Sequence, residues 1–341
     1  MAQIMCVKRD GTSSSNDQND SWPQGIWAAV PTPFHADQSL DLGGIARNVR
    51  HYRDVLGLAG IFCNGLIGEA WSLSTTERRQ VLEATLAAAD GLLPIGVVTT
   101  HASIAETREL SRHAAAAGAD HIVLMRPPGL FSNDEISDFV RMIRHAVACK
   151  VVLFDGEAQS GGYPTGVIRQ LAEEGCIAAV KCTRNADAIT ALRAECGGTV
   201  QICDPYESHA LANLVRFGDR ILYADPEPYL YQVSGVQLIR GYFEDHRRGE
   251  FGSMIEQHAR LEPLRRVYER WIQMPLMRGQ SINAALKHWC RRRIGGRPCP
   301  SATPPAHDQP SGCARCRPRR SIHSDVWCLF RTTWPGDIKA R

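Results

Sequence analysis

From Gly25 to Glu244, short apolar runs alternate with amphipathic segments eight times in succession. Strands are expected at Gly25–Pro31, Gly60–Asn64, Pro94–Thr100, His121–Met125, Lys150–Asp155, Ile177–Cys182, Thr199–Asp204 and Arg220–Asp225. Helices are expected between and after them, at Leu42–Leu56, Thr75–Ala89, Ser103–Ala117, Asn133–Val147, Thr165–Glu174, Asp187–Cys196, Glu207–Phe217 and Tyr229–Glu244. A run that is apolar throughout, set between helices, reads as a parallel strand covered on both faces. Eight such units predict an α/β fold, a parallel (β/α)8 TIM barrel, rather than an open doubly wound sheet. No Gly-x-Gly-x-x-Gly follows the first strand, which argues against a dinucleotide site. Beyond the eighth unit, Gly249–Trp271 and Ser281–Trp289 read as extra C-terminal helices. The expected layout is a polar leader (1–24), the barrel (25–245), the C-terminal helices (246–290) and an Arg/Pro/Cys-rich tail (291–341).

The bulk composition narrows the function classes. The chain is 44% hydrophobic and 22% charged, with a net charge of +3. That balance is ordinary for a globular protein and too small to predict a nucleic-acid partner. No apolar stretch reaches the roughly 18–20 residues that span a bilayer, so no membrane association is expected. The leader lacks the apolar centre of a signal peptide. Cys63, Cys149, Cys176, Cys182, Cys196 and Cys203 are scattered through expected strands and helix ends, as small buried hydrophobes rather than a disulfide framework. A reducing cytoplasm is the expected compartment. After Trp289 the hydrophobic period stops, and Cys290–Pro298 opens a basic, Pro-rich stretch. This reads as a reading-frame change near codon 290, with disorder expected over most of residues 295–341. The pair Cys313 and Cys316, with His307 and His323, lacks the second C-x-x-C of a zinc site, so no metal or other cofactor is assigned.

Lys181 is the residue expected to carry the chemistry. It is one of five lysines in an arginine-rich chain, and it alone ends an apolar run, Ile177-Ala178-Ala179-Val180-Lys181. Desolvation favours a neutral amine, and a neutral amine is a nucleophile that forms a Schiff base with a carbonyl. A lysine at a strand end also reaches solvent easily. Its position at the C-terminal end of the sixth strand, where barrel catalysts gather, favours the catalytic reading. Other strand ends carry His101, Asp155, Asp204 and Asp225; Glu69 follows the second strand and Tyr223 lies just before Asp225. Each has an alternative life as a cap, an ion-pair partner or a structural hydrogen bonder. Asp155, one strand from Lys181, is the expected acid or base, with His101, Asp204 and Tyr223 as accessories. Glu69 is expected to orient its turn by accepting backbone hydrogen bonds. The same carboxylates and histidine leave open a metal-dependent aldolase. A third reading is a non-catalytic barrel that binds a small acid.

Three segments, in order, carry a family resemblance. They are Gly25-Ile26-Trp27-Ala28-Ala29-Val30-Pro31-Thr32-Pro33-Phe34; Asn64-Gly65-Leu66-Ile67-Gly68-Glu69-Ala70, followed by Leu73-Ser74-Thr75-Thr76-Glu77-Arg78; and Ala179-Val180-Lys181. Over about residues 25–290 the chain resembles the dihydrodipicolinate synthase and N-acetylneuraminate lyase family of Schiff-base aldolases. The resemblance implies a barrel that binds pyruvate or a related 2-oxo acid as an imine on Lys181. It also implies a homo-oligomer, tetramer or dimer. The turn Gly65, Leu66, Ile67 and Gly68 is the expected carboxylate site, since its backbone N–H groups lead towards a helix N-terminus whatever the side chains are. There are departures. Leu66 and Ile67 stand where the family has paired threonines. Arg126-Pro127-Pro128-Gly129-Leu130-Phe131 lacks the tyrosine expected after the fourth strand. Phe154-Asp155-Gly156-Glu157 replaces a Tyr-Asn-x-Pro pattern, and Gln159 or a near neighbour replaces an arginine. These departures imply a divergent lyase, or a relic with no activity: an inactive paralogue or a 2-oxo acid binding protein.

Overall fold

The computed structural model describes residues 24–156, 161–218 and 221–293. Almost the whole leader, the Glu157 and Gln159 positions and the tail beyond 293 lie outside the described residues. Eight strands form one parallel sheet: β1 (Gly25–Ala29), β2 (Gly60–Cys63), β3 (Ile95–Val98), β4 (His121–Leu124), β5 (Lys150–Asp155), β6 (Ala179–Cys182), β7 (Gln201–Cys203) and β8 (Leu222–Ala224). Their order is β7-β6-β5-β4-β3-β2-β1-β8. β1 pairs with both β2 and β8, which curls the sheet into a nearly closed barrel with its seam between β7 and β8. This is the expected TIM-barrel architecture, with strands one or two residues shorter than the apolar runs at most ends.

Helices α1 (Leu42–Arg50), α2 (Thr75–Ala89), α3 (Ile104–Ala117), α4 (Asn133–Ala146), α5 (Thr165–Glu173), α6 (Ala186–Cys196) and α7 (Glu207–Phe217) alternate with the strands. Five of these seven starts are capped by the side chain before them, α5 and α7 being the exceptions. Ser74 and Ser132 form reciprocal capping boxes with Glu77 and Glu135, and Ser103 accepts the Glu106 N–H. The single helix expected over Tyr229–Glu244 is instead two, α8 (Glu227–Tyr231) and α9 (Leu238–Arg248). Between them Val233 and Val236 exchange backbone hydrogen bonds, and Gly235 takes φ +78°, a reversal no helix can contain. The Gly249–Trp271 segment also divides, into α10 (Phe251–Ala259) and α11 (Glu262–Tyr268), with Gly249 serving as the left-handed cap of α9. Residues Glu269–Gln273 continue as a π-turn into α12 (Met274–Met277), and α13 (Asn283–Arg293) is the last described helix. Among the described residues, no helix is long and apolar enough to cross a membrane.

The two-residue period of the strands sorts the core into two compartments. Inside the barrel lie Trp27, Phe62, Val98, Val123, Val152, Phe154, Ala179, Cys203, Leu222 and Ala224. Between barrel and helices lies a larger cluster that includes Ile61, Ile122, Leu153, Val180 and Ile202. The barrel floor is filled by Trp27, Phe62 and His121, with ring centres 5.1–5.2 Å apart. Glycine makes that filling possible. A Cβ on Gly60 would lie 2.5 Å from the Trp27 ring, and one on Gly96 would lie 2.2 Å from His121 Nε2. Burial, reinforced by nearby Lys150, holds the His121 imidazole neutral by lowering its pKa to about 3. Each large side chain packed in this way contributes about 1.5–3 kcal/mol. The packed floor closes one mouth of the barrel and leaves the C-terminal mouth open.

Candidate active site

Lys181 is on the inner face of β6, in register with Phe154 of β5 and Cys203 of β7. Its ammonium lies 5.1 Å from the centre of the Phe154 ring. It opens into a cavity of about 450 Å³ at the C-terminal mouth. Gly65, Leu66 and Ile67 of the β2–α2 turn form part of the wall, as do Tyr206, His209, Asp225 and Tyr268. Ile272, Leu276, Met277 and Ile282, from the segments after α11, give the same cavity an apolar side. Lys150 starts β5 beside His121, at the closed end.

The turn is held from three directions. Asn64 and Glu69 bracket it in left-handed backbone conformations (φ 55° and 57°), and the Glu69 and Ala70 N–H groups donate to Leu66 O and Gly65 O. The Thr32 hydroxyl donates to Gly68 O at 2.7 Å. Asn64 donates to the Arg78 carbonyl at 2.7 Å, while the buried Arg78 guanidinium donates to Val98 O (2.7 Å) and Thr100 O (2.9 Å). The Glu77–Arg78 pair thus has two duties: the first residue caps α2 and the second ties the turn to the end of β3. Gly68 shapes the turn without lining the cavity, because a Cβ there would lie 3.0 Å from Asn64 N. Glu69 is structural, but its carboxylate does not serve backbone N–H groups as expected. It contacts the ammonium of Lys287 on α13, which is 3% exposed and lies 4.4 Å from the Phe34 ring centre.

The structure does not bring Asp155 to Lys181. Phe154 takes the inward position on β5, so Asp155 points outward into the layer between barrel and helices. There its carboxylate accepts the Tyr163 N–H at 2.7 Å and the Cys182 thiol at 3.3 Å, and pairs with Arg184 Nε at 2.7 Å. Arg184 also donates to the Thr165 hydroxyl at 3.0 Å and to the Tyr163 carbonyl. His101 accepts the Ser103 N–H on Nδ1 and faces an adjoining cavity of about 680 Å³. Tyr223 is buried on the outer face of β8, opposite Leu222 and Ala224. Asp204 is buried behind the wall, where its carboxylate binds His209 Nδ1 at 3.0 Å and accepts from Asn213 at 3.1 Å.

Asp225, directly after β8, does reach the cavity. Burial raises its carboxyl pKa to about 6, against the opposing pull of Lys181 and of a 3.5 Å hydrogen bond from the Tyr268 hydroxyl. Glu227 lies behind it, 2% exposed, its pKa raised well above the ordinary range by burial and by Asp225. His209 and Tyr268 were not singled out by the sequence. His209 had one signal, its place five residues after a strand-end aspartate on the first turn of a helix. Tyr268 had none, because its placement depends on how α11 folds back over the mouth. Among the described residues, no group of three or more His, Cys, Asp or Glu is arranged to hold a metal ion.

Comparison with known proteins agrees with the barrel fold. The model of the dihydrodipicolinate synthetase family matches residues 22–219. An uncharacterized DapA-like lyase of Pyrococcus abyssi is 30% identical over 152 residues, 44% of this chain and 51% of that protein. A 4-hydroxy-tetrahydrodipicolinate synthase of Methanothrix thermoacetophila is 31% identical over 160 residues, 46% of this chain and 53% of that one. The N-acetylneuraminate lyase of Pongo abelii is 34% identical over 126 residues, 36% and 39% of the two chains. The matched region therefore spans about half or less of these relatives' lengths. Among solved structures, YagE, a prophage protein of the dihydrodipicolinic acid synthase family from E. coli K12 in complex with pyruvate, superposes with a TM-score of 0.69 at 22% identity, covering 79% of this chain and 88% of that one. A putative dihydrodipicolinate synthetase from Pseudomonas aeruginosa gives 0.67 at 22% identity, covering 77% and 87%. With its family model matched over more than half of its length, the chain belongs to the dihydrodipicolinate synthetase family.

Proposed function

We propose that this protein is a lyase that forms a Schiff base between Lys181 and pyruvate or a related 2-oxo acid. The observation that carries the reading is the placement of Lys181 on the inner barrel face, in a cavity shared with the Gly65–Ile67 turn. The Lys181 amine attacks the 2-oxo carbon, and loss of water gives the imine, an electron sink for breaking a bond at C3. Backbone N–H groups of the turn hold the substrate carboxylate, a role that survives the exchange of threonine for Leu66 and Ile67. Asp225 exchanges the proton of the amine, and supplies it to the departing hydroxyl, because a carboxyl raised to about 6 passes protons readily near neutrality. Asp155 serves the fold rather than the reaction. A cytoplasmic homo-oligomer, tetramer or dimer, accompanies this reading through the family resemblance.

Borohydride reduction in the presence of pyruvate tests it, followed by peptide mass mapping. The expected result is a reduced adduct on Lys181 that is absent from Lys181→Ala. No adduct, or an adduct on Lys150, overturns the proposal. An adduct without turnover on any aldol of a 2-oxo acid leaves a binding protein in place of a lyase.

A further inference from the structure

The Lys181 cavity contains a second unit of acid–base chemistry, on the opposite side of the mouth from the turn. His209 is on the first turn of α7, with its side chain 34% exposed, and it lines the cavity. Its Nδ1 lies 3.0 Å and 3.2 Å from the two oxygens of Asp204, whose side chain is 3% exposed. Asp204 is itself fixed. Asn213 donates to it at 3.1 Å, and Arg193 orients Asn213 at 2.6 Å while also donating to Ile202 O at 3.2 Å. The Tyr206 ring meets the imidazole edge-on at 5.5 Å, and the Tyr206 N–H donates to Asp204 at 3.3 Å. A buried carboxylate on Nδ1 fixes the neutral tautomer with its proton there, which leaves the lone pair on Nε2 for the cavity.

We propose that His209 is the catalytic base at the substrate's C3, with Asp204 as its positioning residue. The proposal rests on the Lys181 Schiff-base reading. In the protonated imine (iminium) of pyruvate, Nε2 takes a proton from C3. The C–H electron pair becomes the C2–C3 double bond, and the C2–N π pair moves to the nitrogen, giving the enamine. The reverse step returns the proton from the imidazolium to C3. Nothing is oxidised or reduced, and no further reactant is needed. The proton count matches the departures on the far wall: with Leu66 and Ile67 unable to relay a proton, the dyad supplies that capacity from β7 and α7. The groups facing His209 act in opposing directions. Asp204 raises its pKa most, while burial and Arg193 lower it, for a net rise.

Exchange of the pyruvate methyl protons in D2O, followed by proton NMR, reads this step directly. Borohydride trapping on the same samples reads the imine separately. His209→Gln is expected to slow exchange by about 10²–10⁴-fold while trapping on Lys181 persists. Asp204→Asn is expected to slow exchange and to move its rise with pH to lower pH, because the imidazole loses the carboxylate that favours its protonated form. A packing defect does not produce that shift. Where His209→Gln fails to trap, His209→Asn and Asp204→Asn carry the test. Exchange at the wild-type rate in a trapping-competent His209 variant overturns the inference, as does a wild-type protein that traps pyruvate without exchanging it. Wild-type protein that does not trap at all removes the Lys181 reading and the inference together.

Discussion

Lys181 Nζ lies 5.1 Å from the centre of the Phe154 ring, and the two residues are partners in the β5–β6 ladder. This pairing organises the site. The inward ring gives the ammonium an apolar, π-rich neighbour, and by occupying the inward position it sends the next residue, Asp155, to the other side of the sheet.

The first prediction concerns that ring. Phe154 is 9% exposed inside the barrel, and Phe154→Ala is expected to destabilise the protein by about 3–5 kcal/mol through the cavity it leaves. Phe154→Leu keeps most of the volume and is expected to cost less than about 1.5 kcal/mol. Urea denaturation measures both. An alanine variant as stable as the leucine variant contradicts this placement of Phe154.

Asp155 gives the second prediction. Its removal strands the Arg184 guanidinium, whose side chain is 14% exposed, without its buried counter-charge. Asp155→Ala is expected to cost about 3–5 kcal/mol, the usual effect of breaking a buried pair. The folded fraction is expected to trap pyruvate on Lys181 normally. Full stability with lost turnover would return Asp155 to the chemistry.

The contrast between Lys181 and Asp155 shows what the sequence makes legible. All eight strands were readable, because apolar runs are local. The placement of Lys181 at the open mouth was readable because the residue ends a strand, and the strands of this fold end at that mouth. The side on which a strand-end residue falls was harder to read. It depends on where the last ladder bond forms, so Asp155 points out on β5, whereas Asp225 reaches the cavity only because β8 has already ended at Ala224. Two further contributions come from long-range folding: Tyr268 arrives on α11 and Lys287 arrives on α13. The His209–Asp204 pair is local, five residues apart, but it depends on where β7 ends and α7 begins.

Asp225 sets the third prediction, a pH dependence. Its folded-state pKa is raised from an ordinary 3.8 to about 6. Between those values the native state binds a proton that the unfolded chain has released, so this group's contribution to stability falls as pH rises from about 4 to 6. Asp225→Asn is expected to reduce that slope, seen as a flatter urea midpoint against pH over the same window, with the part that belongs to buried Glu227 remaining. His209 and its raised pKa act above 6.5, the ordinary histidine value, so the two windows separate. A slope unchanged in Asp225→Asn means that the carboxyl is not desolvated as placed.

The last prediction tests the link between the C-terminal helices and the substrate turn. Lys287 of α13 meets the carboxylate of Glu69, the residue that ends the turn in a left-handed conformation, and both are buried. Removing either partner alone leaves a charge without its counter-charge in a site that water barely reaches. Lys287→Met and Glu69→Gln are each expected to cost about 3–5 kcal/mol. The double variant replaces both charges, so it is expected to cost clearly less than the sum, with a coupling of about 0.5–3 kcal/mol. The same cycle can be read on function. Glu69 ends the turn proposed to hold the substrate carboxylate, so each single variant is expected to raise the pyruvate concentration needed for half-maximal trapping, with the double variant recovering part of the loss. Additive stabilities across the cycle, or pyruvate trapping indifferent to both changes, would detach α13 from the site. The turn would then owe its shape to Thr32, Asn64 and Arg78 alone.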